Sequence, residues 1–600
     1  MRTMAKLGAG ITVLVLMLAG CSTMPKQPDA FVRGDYGYTK EYVSWLIRKE
    51  MRKNDVTGLS IALVDDQKVV WAQGFGYADE ANKIPATPDT IYRVGSISKL
   101  FTATAVMQLA EQGKMDIDKP LQTYLPEFSI KSRFTDAGPI TPRSIMTHHS
   151  GLPSELLKGM WTKSPEPFEN DVKLLRDEYV AYPPNYVFSY SNAAVTILGH
   201  ALEKVSGHDF SSQLTASLLQ PLEMSRSKFD PAPDHSPLAA KAYRKGEETD
   251  ELPLGIVPAG GLNSTVLDLS RFMEMVFAGG RAGEKQIIKP ETLAEMLRPQ
   301  NADVPLDLDL RIGLGWFLGN LDGIDTKETG PVAQHDGATL YHRSQLIVLP
   351  EQKLGVVVLA NSASAGDVVS KVATEALKLA FEVKSGIRQP EQKQQSAVGE
   401  GLLSQEALQA YEGRYATIAG VVNVTKEPDY LRAEVMSTAF RLVPRADGLL
   451  GLRYKLLGLF PISLGQVDYD GFSVARVAGR DIVKVRSQGR ELLLGERIKL
   501  VPLPERWLKR TGEYEIINRG DDAVLIENVR LRQDSGLLIL DYAMPLFIGG
   551  RMSVAITPLS DTEAIMYGLG RNMGETIRVE IVGGEEMLQY SGYLLKRRQN

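Results

Sequence analysis

Three short segments carry side chains whose types and spacing could perform acyl transfer at a serine. The first is Gly95-Ser96-Ile97-Ser98-Lys99-Leu100-Phe101-Thr102. Residues three apart share one face of a helix, so Lys99 can reach Ser96. A serine hydroxyl is a weak nucleophile until a base removes its proton. A lysine whose pKa is depressed by burial or by a neighbouring cation can be that base. At the start of a helix, Ser96 also gains exposed N–H groups and the positive end of the dipole, which suit a developing oxyanion. The same S-x-x-K spacing recurs at Ser225-Arg226-Ser227-Lys228. It precedes no long helix, so it reads as a loop-to-strand segment. On the order of two such matches arise by chance in a chain of this length, so Ser96 needs partners.

The other two segments could supply them. Tyr190-Ser191-Asn192 opens a helical stretch. A phenol near a cation can relay protons, and an asparagine offers a donor and an acceptor to an amide-bearing substrate. Taken alone, the tripeptide would equally be a packing aromatic beside an Asn cap. His335-Asp336-Gly337-Ala338 precedes a strand-like run. Gly337 lets a substrate lie close to the backbone, Ala338 could add a second oxyanion N–H, and His335 could bind a substrate anion or modulate Tyr190. Taken alone, it would be a surface turn.

The elements that must position these residues fit a long, multi-domain chain. Six hundred residues suggest roughly four compact units. The 44% hydrophobic and 24% charged fractions are those of globular proteins. A net charge of −5, with no basic stripe, gives no reason to bind nucleic acid. A single cysteine excludes an intramolecular disulfide and a cysteine-based zinc site. The seven histidines include no H-E-x-x-H, and no metal or other cofactor is expected. G-x-S-x-G and the Walker phosphate loop are both absent. His148 and His149 point different ways on most backbones and read as structural.

Residues 39–53 read as an amphipathic helix, followed by a hairpin of Leu59–Val64 and Lys68–Phe75. Residues 96–112 form an Ala-rich helix with Gly113 just past its end. Further helices are expected at Ala193–Ser206, Thr265–Phe277 and Asp367–Val383, and strands at Gly313–Leu318, Gln345–Leu349 and Leu354–Leu359. Strands at both ends with helices between predict one sheet built from both termini around a helical insertion. Residues 384–403 are a polar linker. Short β-type runs continue to the end, and Leu408 to Tyr415 echoes Leu508 to Tyr514. The echo predicts two small antiparallel barrels, over 404–502 and 503–600.

The chain opens with Arg2 and Lys6 and an apolar run of Leu7 to Ala19 that ends in Leu18-Ala19-Gly20-Cys21. The run is shorter than the ~20 residues of a spanning helix and suits an export signal. The ending looks like a bacterial lipobox. Cleavage before Cys21 would leave a thiol to carry lipid, and two or three acyl chains anchor a protein stably. Residues 1–20 are thus read as a signal peptide and 21–38 as a tether, making the chain an exported, membrane-anchored lipoprotein.

In order, residues 91–106, Ile140-Thr141-Pro142 through His148-His149-Ser150-Gly151-Leu152-Pro153, Phe188 to Asn192, and Gly260-Gly261-Leu262-Asn263-Ser264 strongly resemble the serine β-lactamase and penicillin-binding-protein family, in its class C-like branch. The resemblance covers about residues 40–383. It implies an α/β (α+β) fold: an antiparallel sheet flanked by helices, with an all-helical lobe, over residues 39–383. It further implies Ser96 as nucleophile, Lys99 as its base or proton relay, and Tyr190 as the group that protonates the leaving group or activates water. Asn192 would orient the substrate. His335 and Gly337 would form the third wall, with the Ser96 and Ala338 N–H groups as the oxyanion hole. Two departures stand out. His335 occupies a place where true β-lactamases usually have Lys, which is more like the family's esterases and D-aminopeptidases. Thr339-Leu340-Tyr341-His342-Arg343-Ser344 replaces a frequent Gly-Phe pair, and its bulk is expected to narrow the pocket or alter what it accepts. The tail resembles the two barrels of the family's multidomain D-aminopeptidases. The expected activity is hydrolysis of peptide, amide or ester substrates, cell-wall fragments among them, through an acyl-serine. The alternative is a penicillin-binding or sensing protein with little turnover.

Overall fold

The computed structural model describes residues 23–599 apart from 322, 390–397, 400, 429, 436–437, 457–459, 463–464 and 547–549. Cys21 and residues 1–20, which read as an export signal, lie outside the described residues.

Helix α1 (Gly37–Lys53) is followed by the hairpin β1 (Gly58–Asp65) and β2 (Lys68–Asp79), with the short β3 (Ile84–Pro85) beyond. The central helix α2 (Ser98–Glu111) and α3 (Asn192–Ser206) belong to the helical lobe, and α4 (Val266–Phe277) leads back to the sheet. Strands β4 (Arg311–Ile312), β5 (Phe317–Gly319), β6 (Val332–Ala338), β7 (Arg343–Leu349) and β8 (Leu354–Ala360) follow, then α5 (Gly366–Ser385). The sheet runs β4-β5-β6-β7-β8-β1-β2-β3 and is antiparallel throughout. Its two ends of the chain meet where β1 pairs β8, Leu59 opposite Ala360.

The central strands are apolar at nearly every position because both faces are covered. Alternate residues therefore serve different cores. Ile61, Leu63, Val356 and Val358 pack under α1 and α5 with Val43, Ile47, Val372 and Phe381. Ala62, Val64, Val357 and Leu359 face the other way, onto α2 and α4 with Phe101, Phe272 and Met273. Twelve of the fourteen α2 residues are buried, so this helix has no polar face, as a helix surrounded by protein requires.

One expected strand is divided. The run 313–318 is a tight hairpin in which Gly315, at φ +83°, turns the chain between β4 and β5. A Cβ there would meet the Ala103 Cβ of α2 at 2.9 Å. The segment expected to be a tether is partly docked: the Arg388 guanidinium donates to the Pro28 carbonyl (2.7 Å) and lies 4.1 Å from the Phe31 ring centre.

Two closed antiparallel barrels follow. The first ring consists of Gly413–Thr417, Gly420–Lys426, Leu431–Val435, Thr438–Pro444, Leu450–Leu456, Gly471–Val477, Arg480–Ser487 and Arg490–Arg497, with Phe460–Ile462 added to its edge. The second runs in chain order from Gly512–Ile516 to Tyr593–Arg597. The sequence echo has a shared physical cause. In each barrel a short helix leads into a first strand whose tyrosine hydroxyl reaches back to a carbonyl four residues earlier: Tyr415 to Tyr411 (2.7 Å) and Tyr514 to Arg510 (2.6 Å). The last strand closes on that first strand, pairing Tyr415 with Arg497 and Tyr514 with Arg597.

Candidate active site

The chain enters α2 through a 3-10 turn, Gly95–Ile97, with Gly95 at φ +54°. The Ser98 hydroxyl donates to the Gly95 carbonyl (2.6 Å) and accepts from the Leu262 N–H (3.0 Å), which pins the turn. Lys99, the second residue of α2, is buried at 2% exposure. Its Nζ donates to Ser96 Oγ (3.0 Å) and to the Ala259 carbonyl (2.7 Å). Burial pulls the Lys99 amine down to about 7; Glu155 opposes the shift and Arg571 adds to it. Near neutral pH a large share of Lys99 is thus free amine, able to accept the Ser96 proton. The decoy at Ser225 has no such neighbour: Ser227 bonds Ser264 and Asp268, and Lys228 pairs with Asp230 and Asp234.

Tyr190 closes over this pair. Its ring centre lies 4.9 Å from Lys99 Nζ and 4.8 Å from the Arg571 guanidinium carbon. Burial pushes its phenol well above the ordinary value, while the Ser96 hydroxyl and Arg571 oppose the shift. Tyr190 is therefore a neutral phenol beside the serine hydroxyl. His148 stacks on it at 4.2 Å. The His148 Nδ1 accepts the Ser191 N–H (3.2 Å), and burial keeps the ring neutral. His149 instead pairs with Asp307 (2.7 Å), whose other oxygen accepts the Phe188 N–H and so holds the irregular segment leading to Tyr190.

The cap of α3 is Ser191, not Asn192: its hydroxyl accepts from the Ala194 N–H and donates to the Pro153 carbonyl. Asn192 is thereby free to turn to the cavity, where its amide donates to both oxygens of Glu155 (2.9 and 3.0 Å). Glu155 also receives the Arg571 guanidinium at 2.5 Å. Arg571 comes from the second barrel, on the loop between Glu563–Met566 and Thr576–Val582. The loop is fastened beside it by Asn572 N–H to Ser154 Oγ (2.8 Å) and by Ser154 N–H to the Glu575 carboxyl (2.8 Å).

Strand β6 forms the opposite wall. Gly337 is required by packing: a Cβ there would lie 2.0 Å from the Val94 carbonyl oxygen. A Cβ on Gly95 would lie 2.7 Å from the Ala338 nitrogen, so the serine turn and the third motif touch through backbone. Asp336 and Ala338 line the cavity, whereas His335 does not. Its ring packs edge-on against Phe317, with Nδ1–H donating to the Asp336 carbonyl (2.6 Å) and Nε2 left without a partner. Burial pulls it down to about 4. As a neutral ring it brings no charge to a substrate anion; it stands 6.5 Å from the Tyr190 ring, centre to centre, where the expected influence on Tyr190 would be exerted. Tyr341 and His342 face away from the cavity. His342 pairs with Glu251 (2.8 Å), whose carboxylate also accepts the Tyr341 N–H, so neither narrows the pocket.

The sequence reading missed Glu155 and Arg571. Glu155 stands two residues past Leu152-Pro153 in the loop beside Tyr190, and its proximity was a usable signal. Arg571 lies in another domain and no local pattern marks it. Among the described residues no cluster of His, Cys, Asp or Glu could hold a metal ion.

A serine hydroxyl, a buried amine, a phenol and a backbone wall thus stand together on this sheet-and-helix frame. The Beta-lactamase family profile matches residues 43–380, more than half of the chain, and the protein belongs to that family. Among curated relatives, Protein flp of Staphylococcus aureus (strain COL) is 23% identical over 54% of this chain and 63% of its own length. Putative beta-lactamase-like 1 of Homo sapiens is 26% identical over 53% of this chain and 64% of its own. The chain thus spans a little under two thirds of the length of these relatives. Among solved structures, the octameric penicillin-binding protein homologue from Pyrococcus abyssi aligns at a TM-score of 0.52 with 26% identity, over 75% of this chain and 99% of that one. SurE with D-Leu aligns at 0.52 with 24% identity, over 77% and 100%, which shows a shared fold.

Proposed function

We propose that the protein is a serine hydrolase that cleaves amide, peptide or ester bonds through an acyl-Ser96 intermediate, exported and held to a membrane by lipid on Cys21. The observation that carries the reading is Lys99: a buried amine 3.0 Å from Ser96 Oγ and held near 7. Lys99 takes the Ser96 proton as Oγ attacks the substrate carbonyl. The Ser96 and Ala338 N–H groups receive the oxyanion, the transition-state charge that such donors stabilise best. Tyr190, neutral and beside Ser96, donates the proton that the leaving amine or alkoxide needs. Lys99 returns its proton to Tyr190; water then attacks the acyl-serine, and its proton passes through Tyr190 and Lys99 to Ser96 Oγ as the acyl–oxygen bond breaks. Asn192, oriented by Glu155, offers its amide oxygen to a substrate N–H.

The test is labelling with a fluorescent acylating probe, followed by a screen of D-amino-acid amides, short esters, nitrocefin and muropeptides. Ser96→Ala is expected to abolish labelling and turnover while the protein stays folded, and Ser225→Ala to do neither. Labelling that maps to Ser225, or full activity in Ser96→Ala, overturns the assignment. A stable acyl-Ser96 with no turnover on any substrate would favour a binding or sensing protein.

A further inference from the structure

The site is not confined to the catalytic domain. A single cavity of about 600 Å³ runs from Ser96, Tyr190 and Asn192 past Arg571 into the second barrel, where Val529, Leu540, Ile577, Leu588 and Leu595 line it. That volume lies within the range of small-molecule sites. The barrel residues are inward by strand period. Val529 and Leu531, Leu538 and Leu540, Ile577 and Val579, and Leu588 and Tyr590 alternate along their strands with residues on the outer face. Ile539, on the opposite face from Leu540, packs with Ala416 of the first barrel instead. An eight-stranded barrel has room inside for its own side chains or one small ligand.

The polar groups of the cavity stand at its catalytic end: Glu155, Asn192, Asp336 and Arg571. Of the second-barrel residues on its wall, Arg571 is the one that carries a charge, and it sits at the junction, held by Glu155. Asn572 stands next to it in the chain; the rest of the barrel wall is aliphatic apart from Met544 and two tyrosines, Tyr542 and Tyr590, and the Tyr590 hydroxyl is already committed to Glu575 (2.8 Å). A charged substituent there would lose its hydration and meet no countercharge. An alkyl chain would lose nothing and would gain burial.

Resting on the hydrolase reading above, we propose that the substrate is an ester or amide carrying a flexible alkyl chain on one side of the scissile bond, and that the second barrel is the receptor for that chain. The chain enters past Arg571 while the reacting carbonyl stays at Ser96. The barrel would therefore select substrate by chain length.

Two series of p-nitrophenyl and alkyl esters, one lengthening the acyl group from acetyl to dodecanoyl and the other lengthening the alcohol on a fixed acetyl group, test this with the full-length protein. In one series kcat/KM is expected to rise about four-fold per methylene over several carbons and then level off when the barrel is full. Leu540→Trp and Leu595→Trp, each checked for folding by circular dichroism, are expected to collapse the decanoyl-to-acetyl ratio of kcat/KM. A flat dependence in both series, or a ratio unchanged in the folded variants, overturns the proposal while Ser96-dependent hydrolysis stands. If nothing is hydrolysed, the hydrolase reading fails, and fluorescence titration with cis-parinaric acid decides the barrel separately. Saturable binding weakened in the Trp variants upholds a chain receptor; no binding overturns it.

Discussion

Arg571 adds to the burial that lowers the Lys99 pKa, and replacing it with Gln should move the acid limb of the rate profile upward. The Arg571 guanidinium and the Lys99 ammonium each lie within 5 Å of the Tyr190 ring centre, so they are less than about 10 Å apart. At an effective dielectric of about 20, two like charges at that separation repel by at least ~1.7 kcal/mol, a little over one pKa unit. Losing Arg571 also leaves the Glu155 carboxylate without its 2.5 Å partner, which favours the charged lysine further. Both changes stabilise protonated Lys99, so its pKa should rise from about 7 to about 8 or above. A protonated lysine cannot accept the Ser96 proton. Activity at pH 7 should therefore fall by roughly ten-fold and recover as the pH approaches 9. The assay is kcat/KM against pH from 5.5 to 9.5 for wild type, Arg571→Gln and Arg571→Lys, with an ester whose own hydrolysis is subtracted. Arg571→Lys keeps the charge and should keep the midpoint. A midpoint that stays put or falls in Arg571→Gln would refute the electrostatic link, and a uniform loss at every pH would mean that Arg571 acts by shape alone.

Lys99→Met keeps the apolar stem and removes the amine; turnover should fall by about 10²–10⁴-fold, the usual worth of general-base assistance, and activity within a few-fold of wild type would assign the base elsewhere. Cys21→Ala should leave an unprocessed or soluble form that takes up no labelled palmitate, and unchanged membrane fractionation would refute the lipid anchor. Glu575 is buried and pushed up to about 7. Its folded pKa exceeds its unfolded one, so its contribution to stability is present at pH 4–5 and lost as pH rises through 7. Glu575→Gln cannot ionise, so its Tm relative to wild type should become more favourable from pH 5 to pH 8; a constant difference would mean that the carboxyl has the same pKa folded and unfolded.

Local order in the chain determined the first half of this site. Ser96 and Lys99 meet because one helical turn brings residues three apart together, and that geometry needs no partner. Tyr190 and Asn192 flank a helix start for the same reason, and Gly95, Gly315 and Gly337 mark places where the backbone turns or approaches another strand. The two barrels were legible as an echo because each closes through the same tyrosine-to-carbonyl bond. Period two along β6 says that residues 335 and 337 share one face and 336 and 338 the other. It does not say which face meets the substrate; that followed from how β6 packs against the turn at Val94 and Gly95, and it turned His335 inward and Asp336 outward. Arg571 and the apolar barrel interior lie hundreds of residues from Ser96. Their place beside it depends on bonds between domains, Ser154 to Glu575 and Glu155 to Arg571, which no spacing along the chain encodes. Nearby residues are constrained by the geometry of a single turn or strand, whereas distant ones meet only once whole surfaces have packed.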